Sequence, residues 1–215
     1  MTELCDGTLH DLIENNKKSK ELTFVELREK VLRQITDGVK HLHDNKIIHR
    51  DLKPSNILYC NNPSLVMKVA DFGQSRILKE GASYHNRTIV KSGHSDGLGV
   101  FGTPGWIAPE VLNGEKCLRP SVDIYPLGLI FAYTLCEGKH PIENNKKMPL
   151  NIQNELKERG GENFFNLVNR MLWSEPSVRP TAEQIINNED LPPLLNAQDP
   201  KVCISQHFCL ISNLQ

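Results

Sequence analysis

The run His49-Arg50-Asp51-Leu52-Lys53-Pro54-Ser55-Asn56, followed fifteen residues after Asn56 by Asp71-Phe72-Gly73, constrains this chain more than any other feature. Phosphoryl transfer asks a protein for little covalent chemistry and much positioning. It needs one carboxylate to take a proton from an acceptor hydroxyl, and hard oxygen donors to hold Mg²⁺ against the phosphates of ATP. The spacing supplies Asp51 for the first task, and the amide of Asn56 with the carboxylate of Asp71 for the second. Taken singly, each is an ordinary surface aspartate or a turn-forming Asn or Asp, so the order of the three carries the argument.

At these positions the chain resembles the protein kinases, and Gly102-Thr103-Pro104-Gly105-Trp106-Ile107-Ala108-Pro109-Glu110 continues the resemblance in the right order. The resemblance implies ATP and Mg²⁺ as cofactors and a protein as substrate. Lys53 resembles the lysine that serine/threonine kinases place beside the transferring phosphoryl group, where a cation offsets charge developing on the equatorial oxygens. Tyrosine kinases carry a different sequence after the aspartate. The implied catalytic residues are Asp51 and Lys53. The implied nucleotide contacts are Lys53, Ser55, Asn56 and Asp71, with Asn56 and Asp71 as the metal-binding pair.

Other matched positions imply structural roles. Asp123 resembles the buried carboxylate that receives backbone N–H groups of the catalytic loop, and His49 its packing histidine. Glu110 resembles the glutamate that pairs with a distant arginine, for which Arg179 in Ser177-Val178-Arg179-Pro180 is the match. Arg50 resembles the arginine that captures an activation-loop phosphate, which makes Ser83, Thr88, Ser92 and Ser95 the candidate phosphorylation sites.

Glu3-Leu4-Cys5-Asp6-Gly7-Thr8-Leu9 looks like the hinge between kinase lobes. Only forty-eight residues precede His49, and they contain neither a glycine-rich strand nor a lysine strand. The expectation is a kinase-like fold beginning at the hinge, the C-terminal lobe only, spanning 1–193 with a poorly ordered tail over 194–215. The hinge and the Gly105-to-Glu110 run are together most similar to the inositol-requiring stress-sensor kinases of the unfolded protein response and to ribonuclease L. In those proteins a nuclease domain follows the kinase domain, and the residues after Pro193 are too few to fold as one. Two functional expectations follow. One is a serine/threonine kinase domain inactive without its small lobe; the other is a catalytically silent module that binds a full-length relative. A homo- or heterodimer with a related kinase is the assembly implied.

Composition narrows the setting. A formal charge of −1 gives no electrostatic reason to expect nucleic acid. The apolar run from Leu127 to Cys136 falls well short of the ~20 residues that cross a bilayer, and the N-terminus lacks a basic-then-apolar signal. A cytoplasmic chain is expected, although a full-length relative could be anchored at the endoplasmic reticulum. The six cysteines stand without a CxxC pair and read as reduced thiols; Cys203, His207 and Cys209 lack a fourth ligand at zinc spacing.

Periodicity predicts a mainly α fold with short β-strands. Thr8, Leu9, Leu12 and Ile13 predict a short helix, and the polar run Glu14–Glu21 a solvated loop. Thr23-x-x-Glu26 is a capping box, and Leu27, Val31, Ile35, Val39 and Leu42 form one buried stripe ending at Asp44-Asn45. Ile47-Ile48, Ile57-Leu58-Tyr59 and Leu65-Val66-Met67 are short strands that put the acidic groups at their ends. Gly97-Leu98-Gly99-Val100-Phe101-Gly102 matches G-x-G-x-x-G but lacks a preceding strand and a following helix, so it reads as part of a mobile segment. Downstream, Ser121–Cys136, Glu162–Leu172 and a helix capped by Thr181-x-x-Gln184 complete a helical lobe, with an irregularity expected at Pro126.

Overall fold

The computed structural model describes residues 4–61, 63–78, 101–114, 119–142 and 147–188. Ser83, Thr88, Ser92, Ser95, the glycine run before Phe101, Cys117, the 194–215 tail and the Cys203-His207-Cys209 group lie outside the described residues. The described residues are mainly helical, with five short strands among them.

A strand β1 (Gly7–Thr8) leads into helix α1 (Leu9–Ser19), whose N-terminus is closed by a reciprocal Thr8–Asp11 capping box. The helix continues through the polar residues predicted to be loop. Lys17 pairs with Glu14 at 3.3 Å, and the Asn16 side chain bonds both the N–H and the carbonyl of Leu22, so the polar residues make helix-compatible contacts. Lys20, with φ 58°, ends it.

The next helix starts at the predicted Thr23–Glu26 capping box and runs through α2 (Phe24–Glu26), a π-helical stretch (Leu27–Leu32) and α3 (Arg33–Asp44). Leu27, Val31, Ile35, Val39 and Leu42 are all buried, as their spacing predicts. Three successive steps of four residues outrun the α-helical period of about 3.6, and the wider π turn takes up the difference. That helix delivers β2 (Ile47–Ile48), after which the site loop begins. Strands β3 (Ile57–Asn61) and β4 (Leu65–Val69) form an antiparallel hairpin that β1 joins at the β3 edge, while β2 pairs with β5 (Arg76–Ile77).

Beyond α4 (Pro109–Leu112) lies the central helix, α5 (Ser121–Leu135), in which every residue from Val122 onward is buried. A helix this largely apolar must be enclosed, and the elements around it enclose it. Pro126 sits six positions into α5 and deprives the Val122 carbonyl of its usual donor, yet the helix is continuous across it. Helix α6 (Leu150–Gly160) is not foreseen by periodicity, since only Ile152, Leu156 and Gly160 are buried in it. Helix α7 (Glu162–Met171) buries Phe164, Phe165, Leu167, Val168 and Met171, and Phe164 stacks on Phe131 of α5 at 5.8 Å. A Cβ on Gly128 would stand 2.8 Å from the Cβ of Met171, so only glycine lets α5 and α7 approach this closely. The predicted Thr181–Gln184 box caps α8 (Ala182–Ile186). Among the described residues no helix is long and apolar enough to cross a membrane.

Candidate active site

The loop His49–Asn56 leaves β2 and enters β3 through a single 3₁₀ turn, Pro54–Asn56. Its backbone is pinned from behind. The fully buried Asp123, in the first turn of α5, accepts hydrogen bonds from the backbone N–H groups of His49 and Arg50, each at 2.8 Å, and its Oδ2 lies 2.9 Å from His43 Nε2. Burial alone would push the Asp123 carboxyl up, but His43, the nearby His49 and the Arg50 N–H together hold it below the usual carboxylate range. The anchor fixes a backbone that is itself strained, since Arg50 takes φ 71°.

His49 packs inside the loop. Its Nε2 lies 2.9 Å from the Ala70 carbonyl, and its ring sits 5.3 Å from that of Phe72. The loop is thereby joined to the Asp71-Phe72-Gly73 segment from within, as the resemblance implied for a packing histidine.

Asp51 is buried, and three polar side chains converge on it. Lys53 Nζ donates to Oδ2 at 3.0 Å, Thr103 Oγ1 donates to Oδ1 at 2.7 Å, and Asn56 Nδ2 donates to Oδ2 at 3.1 Å and to the Asp51 carbonyl at 2.9 Å. Lys53 also donates to Thr103 Oγ1 at 2.7 Å, which closes the group into a ring of hydrogen bonds. Burial raises the Asp51 carboxyl, but the hydrogen bonds of Thr103 and Lys53, the charge of Lys53 and the Asn56 amide outweigh it and hold the group below the carboxylate range. Asp51 is therefore an anion at neutral pH.

Asn56 commits its amide nitrogen to Asp51, which leaves its side-chain oxygen as a hard donor. Asp71 is brought to the same end of the β3–β4 hairpin, because the N–H of its neighbour Ala70 donates to the Asn56 carbonyl at 2.9 Å. Its φ of 61° is unusual for a non-glycine residue, and its Oδ1 accepts from Gly73 N–H at 3.3 Å. An exposed carboxylate and an amide oxygen at one end of a hairpin are donor types that suit Mg²⁺, which takes a few protein oxygens and completes its shell with water and phosphate. Ser55 is exposed on the 3₁₀ turn and takes no part in the network around Asp51.

Sequence reasoning missed Thr103 and Gln74. The Gln74 side chain accepts the Gly102 N–H at 2.8 Å, and its backbone carbonyl accepts from Arg50 Nε. Gly102 has φ 96°, and a Cβ there would come 3.0 Å from the Arg50 carbonyl, so the segment carrying Thr103 can lie against the loop only through a glycine. No local pattern signals a hydroxyl that reaches across fifty-two positions. The Arg50 guanidinium lies 4.2 Å over the Phe101 ring; burial, and then the positive charge of Arg76, lower its pKa to about 10 against the pull of Asp123.

Comparison with known proteins matches residues 1–189 to the family described as "Protein kinase domain". The serine/threonine-protein kinase/endoribonuclease ire-1 of Caenorhabditis elegans is 35% identical over 202 residues, covering 86% of this chain and 19% of that protein. The serine/threonine-protein kinase/endoribonuclease IRE1b of Arabidopsis thaliana is 36% identical over 163 residues, 74% of this chain and 18% of its own length. The chain thus spans less than a fifth of these curated relatives. Among solved structures, a chain of the yeast RNA polymerase II CTD kinase CTDK-1 complex superposes with a TM-score of 0.67 at 21% identity, over 87% of this chain and 68% of that one, a likeness of fold.

Proposed function

Since the chain belongs to the protein kinase family, we propose that its residues 49–71 form the large-lobe half of a site that transfers the γ-phosphoryl group of ATP to a serine or threonine hydroxyl of a protein. The observation that carries this reading is the ring of hydrogen bonds on Asp51. A buried carboxylate kept ionised by Lys53, Thr103 and Asn56 is equipped to orient an incoming hydroxyl and receive its proton. Lys53 is shared between Asp51 and Thr103, and so sits where negative charge on a transferring phosphoryl group would be offset. Asn56 and Asp71 are the residues that would hold Mg²⁺, and the ion would offset the negative charge of the ATP phosphates. The serine/threonine preference rests on Lys53 and on the relatives at 35% and 36% identity, both serine/threonine-protein kinases by name. Only the kinase half of those names is proposed for these residues.

The test joins the 215 residues downstream of the small lobe of the C. elegans relative and measures Mg²⁺-dependent transfer to serine and threonine peptides. The small lobe roofs the adenine and holds the phosphates in this family, so the 215-residue polypeptide alone should transfer weakly and the chimera well. Asp51→Asn in the chimera should lower turnover by roughly three orders of magnitude. A chimera with native helical content but no transfer overturns the proposal, as does full activity of the Asp51→Asn form.

A further inference from the structure

We propose that Cys5 and Cys60 form an oxidation-sensitive dithiol that closes to an intrachain disulfide, stapling the segment that enters α1 to the strand that leaves the site loop. The two cysteines are fifty-five positions apart, and the Cys60 thiol donates to Cys5 Sγ at 3.2 Å. Both are half-buried, so a small reagent can reach them while neighbouring chain keeps them facing each other. The approach is built into the backbone. Gly7 pairs with Tyr59 and Thr8 with Leu58, and the chain then bends at Asp6, whose N–H donates to the Tyr59 carbonyl and whose Oδ2 accepts from Asn61 N–H. That bend swings Cys5 alongside Cys60 rather than past it.

A disulfide has an S–S length of about 2.05 Å, so closure asks the sulfurs to approach by about 1 Å, within reach of side-chain rotation at a strand end. Other readings of the pair are weaker. Among the described residues no three His, Cys, Asp or Glu side chains gather as a metal site. The third described thiol, Cys136, is buried, and its pKa is pushed up to about 12 by burial, so it holds its proton and stays inert. In reducing compartments, paired thiols of this kind are transient and redox-sensing rather than structural.

The oxidant is a low-molecular-weight disulfide of the glutathione class. One cysteine thiolate attacks a sulfur of that disulfide, forms a mixed disulfide and expels one small thiolate. The second cysteine thiolate then attacks the protein sulfur of the mixed disulfide, forms the Cys5–Cys60 bond and expels the other small thiolate. Both cysteine protons end on the released thiols. The protein loses two electrons and two protons, and the reagent is reduced to two thiols.

The experiment incubates the purified 215-residue chain with oxidised glutathione, blocks remaining thiols and maps tryptic peptides without reduction. Peptide 1–17 and peptide 51–68 should be recovered as one cross-linked species lacking two hydrogens, and dithiothreitol should separate them. Cys5→Ser and Cys60→Ser should each abolish that species and leave the surviving cysteine as a mixed disulfide, with Cys136 a free thiol throughout. Recovery of both peptides separately blocked, stable mixed disulfides on both cysteines, or cross-links only between chains would each overturn the proposal. If either variant fails to fold, the wild-type map decides alone.

Discussion

Arg179 and Glu110, sixty-nine positions apart, meet in a buried two-pronged ion pair with both N–H···O contacts at 2.7 Å. The guanidinium spends its other hydrogens on the carbonyls of Trp173, Ser121 and Ser174, and its face lies 5.1 Å over the Tyr125 ring. A single arginine thus ties together α4, the start of α5 and the turn before α8.

Breaking this pair on one side should be costly, because the surviving charge stays buried without its partner. Glu110→Ala or Arg179→Ala should each lower stability by about 3–5 kcal/mol, measured by chemical denaturation of the chain. The double replacement Glu110→Leu with Arg179→Met should cost less than the sum of the single changes, since it leaves no orphan charge. Strict additivity would show that the two residues are not coupled.

Asp123 is a second buried anchor, and it makes a pH-dependent contribution. Its folded-state pKa is depressed, so the stability it contributes is present above the ordinary carboxylate range and is lost as pH falls through the lower folded value. Asp123→Asn should therefore flatten the acid side of a stability-against-pH profile while leaving its neutral-to-basic side parallel to wild type. Asp123→Ala should cost more at neutral pH, about 1–3 kcal/mol for each of the His49 and Arg50 N–H groups left without an acceptor. Denaturant midpoints from about pH 8 down to about pH 1.5 measure both, since the loss runs from the ordinary carboxylate value through the depressed one.

What could be read from the sequence was whatever has a local cause. The two capping boxes at Thr23 and Thr181, the buried stripe of α3 and the buried α5 follow from side-chain spacing, and all stand in the structure. The order Asp51, Asn56, Asp71 was legible because a short loop and a hairpin bring them together. Helix α6 was not, because so few of its positions are buried that no stripe emerges, and α1 outran its apolar residues because ion pairs and caps, not burial, hold its second half. Thr103 and Gln74 were invisible for another reason: their roles depend on contacts across fifty-two and twenty-eight positions, which no local window contains.

Thr103 yields a kinetic prediction for the chimera with a small lobe. Its hydroxyl is the foremost group holding the Asp51 carboxyl low against burial, and it also fixes Lys53. Thr103→Val should raise the Asp51 pKa, so that the acid limb of the pH–rate profile, where Asp51 gains its proton, moves to higher pH. Turnover at neutral pH should fall about tenfold or more while KM for ATP stays within about twofold, since the hydroxyl belongs to the base rather than to the nucleotide contacts. An acid limb that does not move would separate Thr103 from the ionisation of Asp51.

Asp71 and Asp51 should fail in different ways. Asp71 is exposed, strained at φ 61° and follows Ala70, whose N–H donates to the Asn56 carbonyl, whereas Asp51 is buried within a ring of donors that leaves it facing Thr103 and Lys53. In the proposed function the first holds Mg²⁺ and the second handles the substrate hydroxyl. In the chimera, Asp71→Asn should weaken ATP binding in the presence of Mg²⁺ by about tenfold or more and leave metal-free binding nearly unchanged, because an amide is a poorer Mg²⁺ ligand than a carboxylate. Asp51→Asn should leave ATP affinity within about twofold under both conditions and act on turnover alone. Calorimetric titration of ATP with and without Mg²⁺ separates the two. Equal losses of affinity in both variants would mean that the carboxylates act as one group, and that the division of labour between the loop and the hairpin end is wrong.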